Sequence, residues 1–213
     1  MRGKVISLHG KKRWLLAAVA VLLAILIVTG ILLWSRREGV TKDRPEVTEI
    51  YGVPVHTVLI SDTLPGRPGI KREVKFIVIH ETGNPSQGAD AKAHSDYLLS
   101  GGEGTTSWHY TVDDHEIYHH IPDSEVSWNA GDQRREPGGN MNGISIELCV
   151  NSDGDFEKTF ENGARLTAYL LKAYDLELDA VKQHHDFNGK NCPQTIRESG
   201  RWEEFLERVE RWL

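Results

Sequence analysis

The 213-residue chain has only two cysteines, Cys149 and Cys192, and no Cys-x-x-Cys pair. That excludes the dense disulfide framework of a small secreted scaffold and leaves one pairing or none. Internal repeats and low-complexity tracts are also missing. Basic charge is scarce where a nucleic-acid binder would need it. Residues 1–37 hold seven Lys/Arg and no Asp/Glu, so the rest of the chain carries 18 basic residues against 31 acidic ones, about 13 charges negative. That sign opposes binding of polyanions through a general field, so nucleic acid is not an expected partner and recognition falls to a local pocket.

One long apolar run is present. "WLLAAVAVLLAILIVTGILLW", 14–34, is 21 residues without a charge, enough as a helix to cross a hydrocarbon core of roughly 30 Å. Trp14 and Trp34 bracket it like interface anchors. A cleaved signal peptide has a shorter apolar region, about 7 to 15 residues, ending in a small-residue cleavage site. "GILLWSRR" supplies none, so the run reads as an uncleaved anchor. Arg2, Lys4, Lys11, Lys12 and Arg13 precede it, and Arg36 and Arg37 follow with Glu38 beside them. This bias places the amino terminus inside and residues 38–213 outside the cytoplasm. The expected organisation is a tail and transmembrane anchor over 1–37, a charged tether over 38–50, and one compact domain over 51–213, with 39% hydrophobic residues in the chain allowing one ordinary domain plus a smaller piece.

In that domain, "YGVPVHTVLISDTLPGRPGIKRE" is punctuated by Pro and Gly and reads as an arm. "VKFIVIH", 74–80, is an almost continuous β-branched and aromatic run, predicting a buried central strand that ends on a histidine. Ala91, His94, Tyr97 and Leu98 follow helical spacing and stop at Gly101-Gly102, predicting a helix over 89–100. "WHYTVDDHEIYHHI", 108–121, predicts a hairpin turning near Asp113-Asp114. In "ISIELCV", 144–150, the apolar residues take one face and Ser145, Glu147 and Cys149 the other. Leu166, Tyr169, Leu170, Ala173 and Tyr174 mark a second helix, and Trp202, Phe205, Leu206, Val209 and Trp212 a third. Strands interleaved with helices imply an α/β or α+β sheet layered with helices.

The chemistry-bearing residues concentrate in "HHDFNGKNCP", 184–193. Asn188-Gly189 is a turn signal that can bring the His184 imidazole and the Cys192 thiolate to one point. Zinc suits that pair, and a catalytic zinc site needs three protein ligands with a fourth position open. His80, at the carboxyl end of the predicted central strand, is the candidate third ligand, against a hydrogen-bonded structural role. The thiolate favours zinc over harder divalent ions. Glu147 is a carboxylate inside a short hydrophobic strand, costly to bury unless paired or used. It is a candidate general base, against an open strand face or a salt bridge. Lys190 could direct its ammonium at a developing oxyanion, against an ordinary solvated lysine.

These residues fall in a pattern. The blocks "RPGIK", "FIVIHETGNP", "WHYTVDDHEIYHHIPD", "WNAGD", "GISIELCVNSDGDF" and "HHDFNGKNCP", in that order over roughly 62–205, resemble zinc-dependent N-acetylmuramoyl-L-alanine amidases of the peptidoglycan-recognition-protein-like fold. The resemblance implies a mixed central β-sheet flanked by helices. It implies zinc ligands at His80, His184 and Cys192, a general base at Glu147, and a lysine at Lys190 that steadies the tetrahedral intermediate. The substrate implied is peptidoglycan, cut between N-acetylmuramic acid and L-alanine. Some members have tyrosine where this chain has Trp108, so a phenolic role there does not carry over. Trp108, His109 and Asn129 are expected substrate contacts, with "WNAGD" and the Gly/Asn-rich segment 129–143 walling a peptide groove. Glu81 has no assignment from the family and is read as structural.

With the anchor, these expectations describe a single-pass, extracytoplasmic wall hydrolase of a bacterial membrane. Three rivals differ in one feature each. A non-catalytic, membrane-tethered peptidoglycan receptor would typically lack the cysteine ligand. A thiol hydrolase with Cys192 as nucleophile and His184 as base would survive chelation. A cytoplasmic recycling amidase would carry no anchor.

Overall fold

A computed structural model of the chain describes residues 8–38, 40–102 and 104–213. It divides into two compact units, residues 1–40 and 41–213. Within the first, helix α1 covers Leu8–Glu38; its side chains are described over 14–29 and are exposed throughout. Among the described residues no helix is long and apolar enough to cross a membrane. The expected span 14–34, with its anchor Trp34, extends beyond the described side chains.

The second unit is built on a seven-stranded mixed sheet. Its strands are β1 (Glu49–Ile50), β2 (Val53–Thr57), β3 (Phe76–Glu81), β4 (Tyr110–Val112), β5 (Ile117–His119), β6 (Gly143–Leu148) and β7 (Val181–Gln183), in the spatial order β1-β2-β5-β4-β6-β3-β7. One side of the sheet, β4-β6-β3-β7, is parallel, with β3 between β6 and the edge strand β7 and with β4 on the other side of β6, so the strand expected at the centre lies one in from the edge. The β4–β5 hairpin and the β1–β2 pair are antiparallel. Helices α2 (Ala91–Leu99), α4 (Phe156–Tyr174) and α7 (Trp202–Trp212) are the longer helices of this unit; α3 (Gly139–Asn142), α5 (His185–Asn188) and α6 (Gln194–Glu198) are single turns.

The side-chain alternation of β3 and β6 decides where the core and the site lie. Ile77 and Ile79 on β3 pair with Ile144 and Ile146 on β6, all fully buried with Phe160, Leu166 and Leu170 of α4 and Phe205 and Val209 of α7. Phe160 and Phe205 meet edge to face, ring centres 5.2 Å apart, a favourable aromatic arrangement. The intervening residues Val78, His80, Ser145 and Glu147 point to the opposite face, because successive side chains alternate across a strand. Period two thus separates an apolar face under α4 and α7 from a polar face that carries His80 and Glu147.

Helix ends follow their caps. The Asp90 carboxylate accepts from Ala93 N–H at the start of α2, and the Asp155 carboxylate from Glu157 and Lys158 N–H at the start of α4, each satisfying amides that have no partner within the helix. In the hairpin turn, Asp113 Oδ1 accepts from His115 and Glu116 N–H at 2.7 and 2.8 Å.

The tether expected over 38–50 ends earlier than its polar composition suggests. From Thr41 the chain belongs to the compact unit. The Arg44 guanidinium donates to Asp123 Oδ2 at 2.7 Å, to the Tyr174 hydroxyl at 2.9 Å and to the Tyr110 hydroxyl at 3.2 Å, and it stacks over the Tyr169 ring at 4.5 Å. Thr41 Oγ1 accepts from Val74 N–H, and Asp43 accepts from Ser124 N–H and its hydroxyl. Charge and lack of periodicity predict a tether here, whereas partners up to 130 residues away hold the stretch from Thr41 down. The last two tether residues form the edge strand β1, and the arm after it contributes β2; Pro54 of β2 faces Glu49 of β1 one residue before the pairing with β5 begins at Val55, where a residue without an N–H is tolerated.

Candidate metal centre

His80 is the penultimate residue of β3 and sits opposite Glu147 of β6 in register. His184 follows β7, and its main-chain N–H continues the ladder by donating to the Ile79 carbonyl at 3.1 Å. The next turn, α5, is stopped by Gly189 at φ 81°, a left-handed conformation that glycine adopts without cost. The chain then returns, and the Cys192 carbonyl accepts from His185 N–H at 3.0 Å. The strand end and the Asn-Gly turn thereby bring His80, His184 and Cys192 together, with one ligand atom from each lying within 4.8 Å of the others. The two imidazole rings are 4.5 Å apart.

These groups are buried, and some of their polar atoms lack partners. His80 Nε2, His184 Nδ1 and Glu147 Oε2 have no hydrogen-bond partner among the described residues. A buried polar atom normally has one, so three such atoms in one place point to a group that the protein chain does not supply. Glu147 Oε1 lies 3.8 Å from His80 Nδ1. Burial holds His80 well below the usual imidazole value, with His184 and Lys190 adding to the effect. Burial, then Lys190, lowers His184 to about 4. Both rings are therefore neutral at pH 7 and keep a lone pair for an ion. Burial pushes the Cys192 thiol up to about 12, Glu147 pushing further and the Glu81 main-chain N–H drawing it down. A divalent cation would reverse that, since a coordinating thiol gives up its proton. Two nitrogen donors and one sulfur donor, with a carboxylate beside them, fit zinc better than calcium or magnesium, which prefer oxygen.

Glu147 is nine-tenths buried on a strand with no exposed residue, which removes the open-face reading. Burial pushes its carboxyl up to about 8, while Lys190 draws it down and Glu81 pushes it up. Lys190 is exposed and lines, with Cys192, Glu81 and Thr195, an open cleft of about 640 Å³. A smaller cavity, about 190 Å³, lies between the 43–47 arm and His119 and contains none of these residues.

The expected substrate contacts divide. Trp108 lines an open cavity of about 400 Å³ with His94, Tyr97, Asn84 and Thr82, while its indole N–H is bound by Thr111 Oγ1 at 2.7 Å. Asn129 is half-buried, and its Oδ1 accepts from Ser145 Oγ. The wall 129–143 is tied down internally: Asn140 Oδ1 accepts from Asn129 and Ala130 N–H, and Asp132 from Gly139 and Asn140 N–H. His109 corrects an expectation. It is fully buried, and both ring nitrogens face protein groups, Nδ1 the Ser145 N–H and Nε2 the Glu125 carbonyl and Arg72. A side chain so enclosed braces the sheet and presents no atom to a substrate.

Two residues that matter to the centre carry no catalytic signature in the sequence. Asn188, read as a turn former, places its Nδ2 3.0 Å from His184 Nε2 while its Oδ1 accepts from Lys190 N–H. Glu81 is the second, its carboxylate buried at the end of β3. A charged residue ending a buried strand was the signal available for it.

As a class, the fold and site define a mixed α/β domain whose parallel strands present a two-histidine, one-cysteine centre beside a buried carboxylate. The chain belongs to the N-acetylmuramoyl-L-alanine amidase family, whose pattern it matches over residues 70–195. Among curated relatives, it is 40% identical over 151 residues to the N-acetylmuramoyl-L-alanine amidase XlyA of Bacillus subtilis, covering 69% of this chain and 49% of the relative. It is 39% identical over 143 residues to CwlH of the same species, covering 67% and 56%. The chain thus spans about half the length of the curated relatives it matches. Among solved structures, the catalytic domain of XlyA superposes with a TM-score of 0.69 at 38% identity, covering 74% of this chain and 99% of that one. A mutant endolysin from Bacillus subtilis gives 0.70 at 39%, with the same coverage.

Proposed function

We propose that the chain is a zinc-dependent N-acetylmuramoyl-L-alanine amidase that hydrolyses the amide between N-acetylmuramic acid and the L-alanine of the peptidoglycan stem. The observation that carries this reading is the convergence of His80, His184 and Cys192 within 4.8 Å, with Glu147 3.8 Å from His80. A zinc ion held by those three residues would supply Lewis-acid activation of the scissile carbonyl and of water. Glu147 takes the proton from the attacking water and delivers it to the departing alanine nitrogen. Its raised carboxyl pKa suits a group that must hold a proton between two steps. The Lys190 ammonium, on the cleft wall, offsets the charge that develops on the carbonyl oxygen. Trp108, which lines an open cavity, and the half-buried Asn129 would be substrate contacts.

The N-terminal helix is proposed as a membrane anchor with the catalytic domain on the outer side. The uncharged run 14–34 and the basic residues before it support this placement.

The test gives the full chain, in detergent, purified peptidoglycan and counts new chain ends with and without a chelator and after zinc is restored. New L-alanine amino termini without new reducing sugars, lost on chelation and regained with zinc, are expected. Binding without any new ends under any metal condition would make the domain a tethered wall receptor instead, and activity that persists through chelation but dies on alkylation would point to Cys192 as a nucleophile.

A further inference from the structure

His80 and Glu81 are neighbours on β3, and their side chains leave opposite faces of the sheet. His80 goes to the metal-centre face, in register with Glu147, and Glu81 to the face of Leu148. The Glu81 carboxylate is buried and has no ion pair among the described residues. Instead Oε2 accepts from Thr195 N–H at 2.7 Å and Oε1 from Ile196 N–H at 3.0 Å. These are main-chain amides at the start of α6, which follows Cys192-Pro193 directly. One residue of β3 thus grips the returning chain just past Cys192, by its carboxylate at residues 195 and 196. Among the described contacts, the hold on Cys192 itself is local: its N–H to the Lys190 carbonyl and its carbonyl to His185 N–H.

From this geometry we infer that Glu81 is a positioning residue that fixes Cys192 against His80, tying the cysteine to the strand that carries the histidine. The inference rests on the reading of His80, His184 and Cys192 as metal ligands. Both carboxylate oxygens are needed, because each accepts a different amide. A glutamine keeps one acceptor and turns an N–H₂ against the other amide; an aspartate is one methylene too short to span from β3 to α6. In either case the sulfur loses its fixed place while both histidines keep theirs.

The experiment compares the full-length wild type with Glu81→Gln and Glu81→Ala. Val55→Ala is the control for general destabilisation. Val55 is buried in the core on β2, which β5, β4 and β6 separate from the strand that carries Glu81. Zinc affinity is measured by competition with a chromophoric chelator, and the alkylation rate of Cys192 is followed by peptide mass in metal-free protein, where the buried Cys149 is read separately. Zinc affinity is expected to fall about 10- to 100-fold in Glu81→Gln, as when a partner that orients a ligand is removed, and further in Glu81→Ala. Cys192 alkylation should accelerate several-fold in both. The control should move neither readout. Affinity and alkylation rate within twofold of wild type in both Glu81 variants would overturn the inference, as would equal shifts in Val55→Ala. If wild type itself binds no zinc, the metal reading has failed, and the alkylation comparison, which needs no metal, still decides whether Glu81 holds Cys192.

Discussion

Replacing Arg44 by methionine removes the charge that pins residues 41–50 to the domain while keeping an unbranched stem of similar bulk. Arg44 donates twice to Asp123 Oδ2, at 3.2 and 2.7 Å, and once each to the Tyr174 and Tyr110 hydroxyls. Asp123 is almost fully buried. Breaking a buried ion pair by removing one partner costs about 3–5 kcal/mol, because the other charge is stranded. Asp123 keeps the Tyr110 hydroxyl on Oδ1 at 2.8 Å and the Tyr174 hydroxyl on Oδ2 at 2.6 Å, so the lower end, about 3 kcal/mol, is expected. For a domain of this size that lowers Tm by about 6–12 °C. The effect depends on pH with a defined sign. Burial alone would raise the Asp123 carboxyl, but His119, then Arg44 and Tyr174, outweigh it and hold the group below its ordinary range. Stability from this source is complete above the unfolded value of about 4 and is lost as pH falls below it. The gap between wild type and Arg44→Met in urea unfolding should therefore narrow from pH 6 to pH 3. A loss below about 1 kcal/mol at pH 7, or a gap that does not change with pH, would refute the claim that the arm is held by charge.

If Glu147 carries the proton, Glu147→Gln should lower kcat by about 10²- to 10⁴-fold while zinc still binds; retained turnover on purified peptidoglycan would remove Glu147 from the chemistry. Lys190→Met should lower kcat by about 10²- to 10³-fold with little change in KM, whereas a rise in KM alone would make the lysine a substrate anchor. Gly163→Ala sets two effects against each other: a helix gains up to about 1 kcal/mol when Gly becomes Ala, and crowding a packed core costs about 1–3 kcal/mol. Because the new Cβ would lie 2.5 Å from a fully buried leucine methyl, a net loss is expected in urea unfolding, and a gain would show that Leu148 can move aside.

Elements with a strong local pattern were legible in the chain. The β-branched run at 74–80 became a buried interior strand, though one in from the sheet edge and not the central one, the hairpin turned at Asp113, and the three longer helices of the domain formed where apolar residues recur at helical spacing. Alternation in "ISIELCV" placed Glu147 away from the core, and the turn signal Asn188-Gly189 placed His184 near Cys192. The misreadings fell where local composition and distant partners disagree. The tether before residue 51 is polar and irregular in sequence, yet Arg44 reaches Asp123; the Pro- and Gly-punctuated arm after it supplies β2, whose Val55 pairs with Ile117 of β5. His109 lies in a block rich in polar residues, and only the pairing of β4 with β6 shows that it is enclosed.

By itself the sequence determined the alternation and helical spacing that divide apolar from polar faces, together with the ligand types and the turn that lets two of them meet. These are properties of near neighbours along the chain, where covalent geometry sets the spacing. Tertiary structure decided what depends on distant segments. It brought His80, more than a hundred residues earlier, to the pair at 184 and 192 through the parallel pairing of β3 with β7, and it left Glu147 beside them without a partner for Oε2. It also gave Glu81 its two amides, because only the packing of α6 against the end of β3 brings Thr195 and Ile196 within reach of that carboxylate.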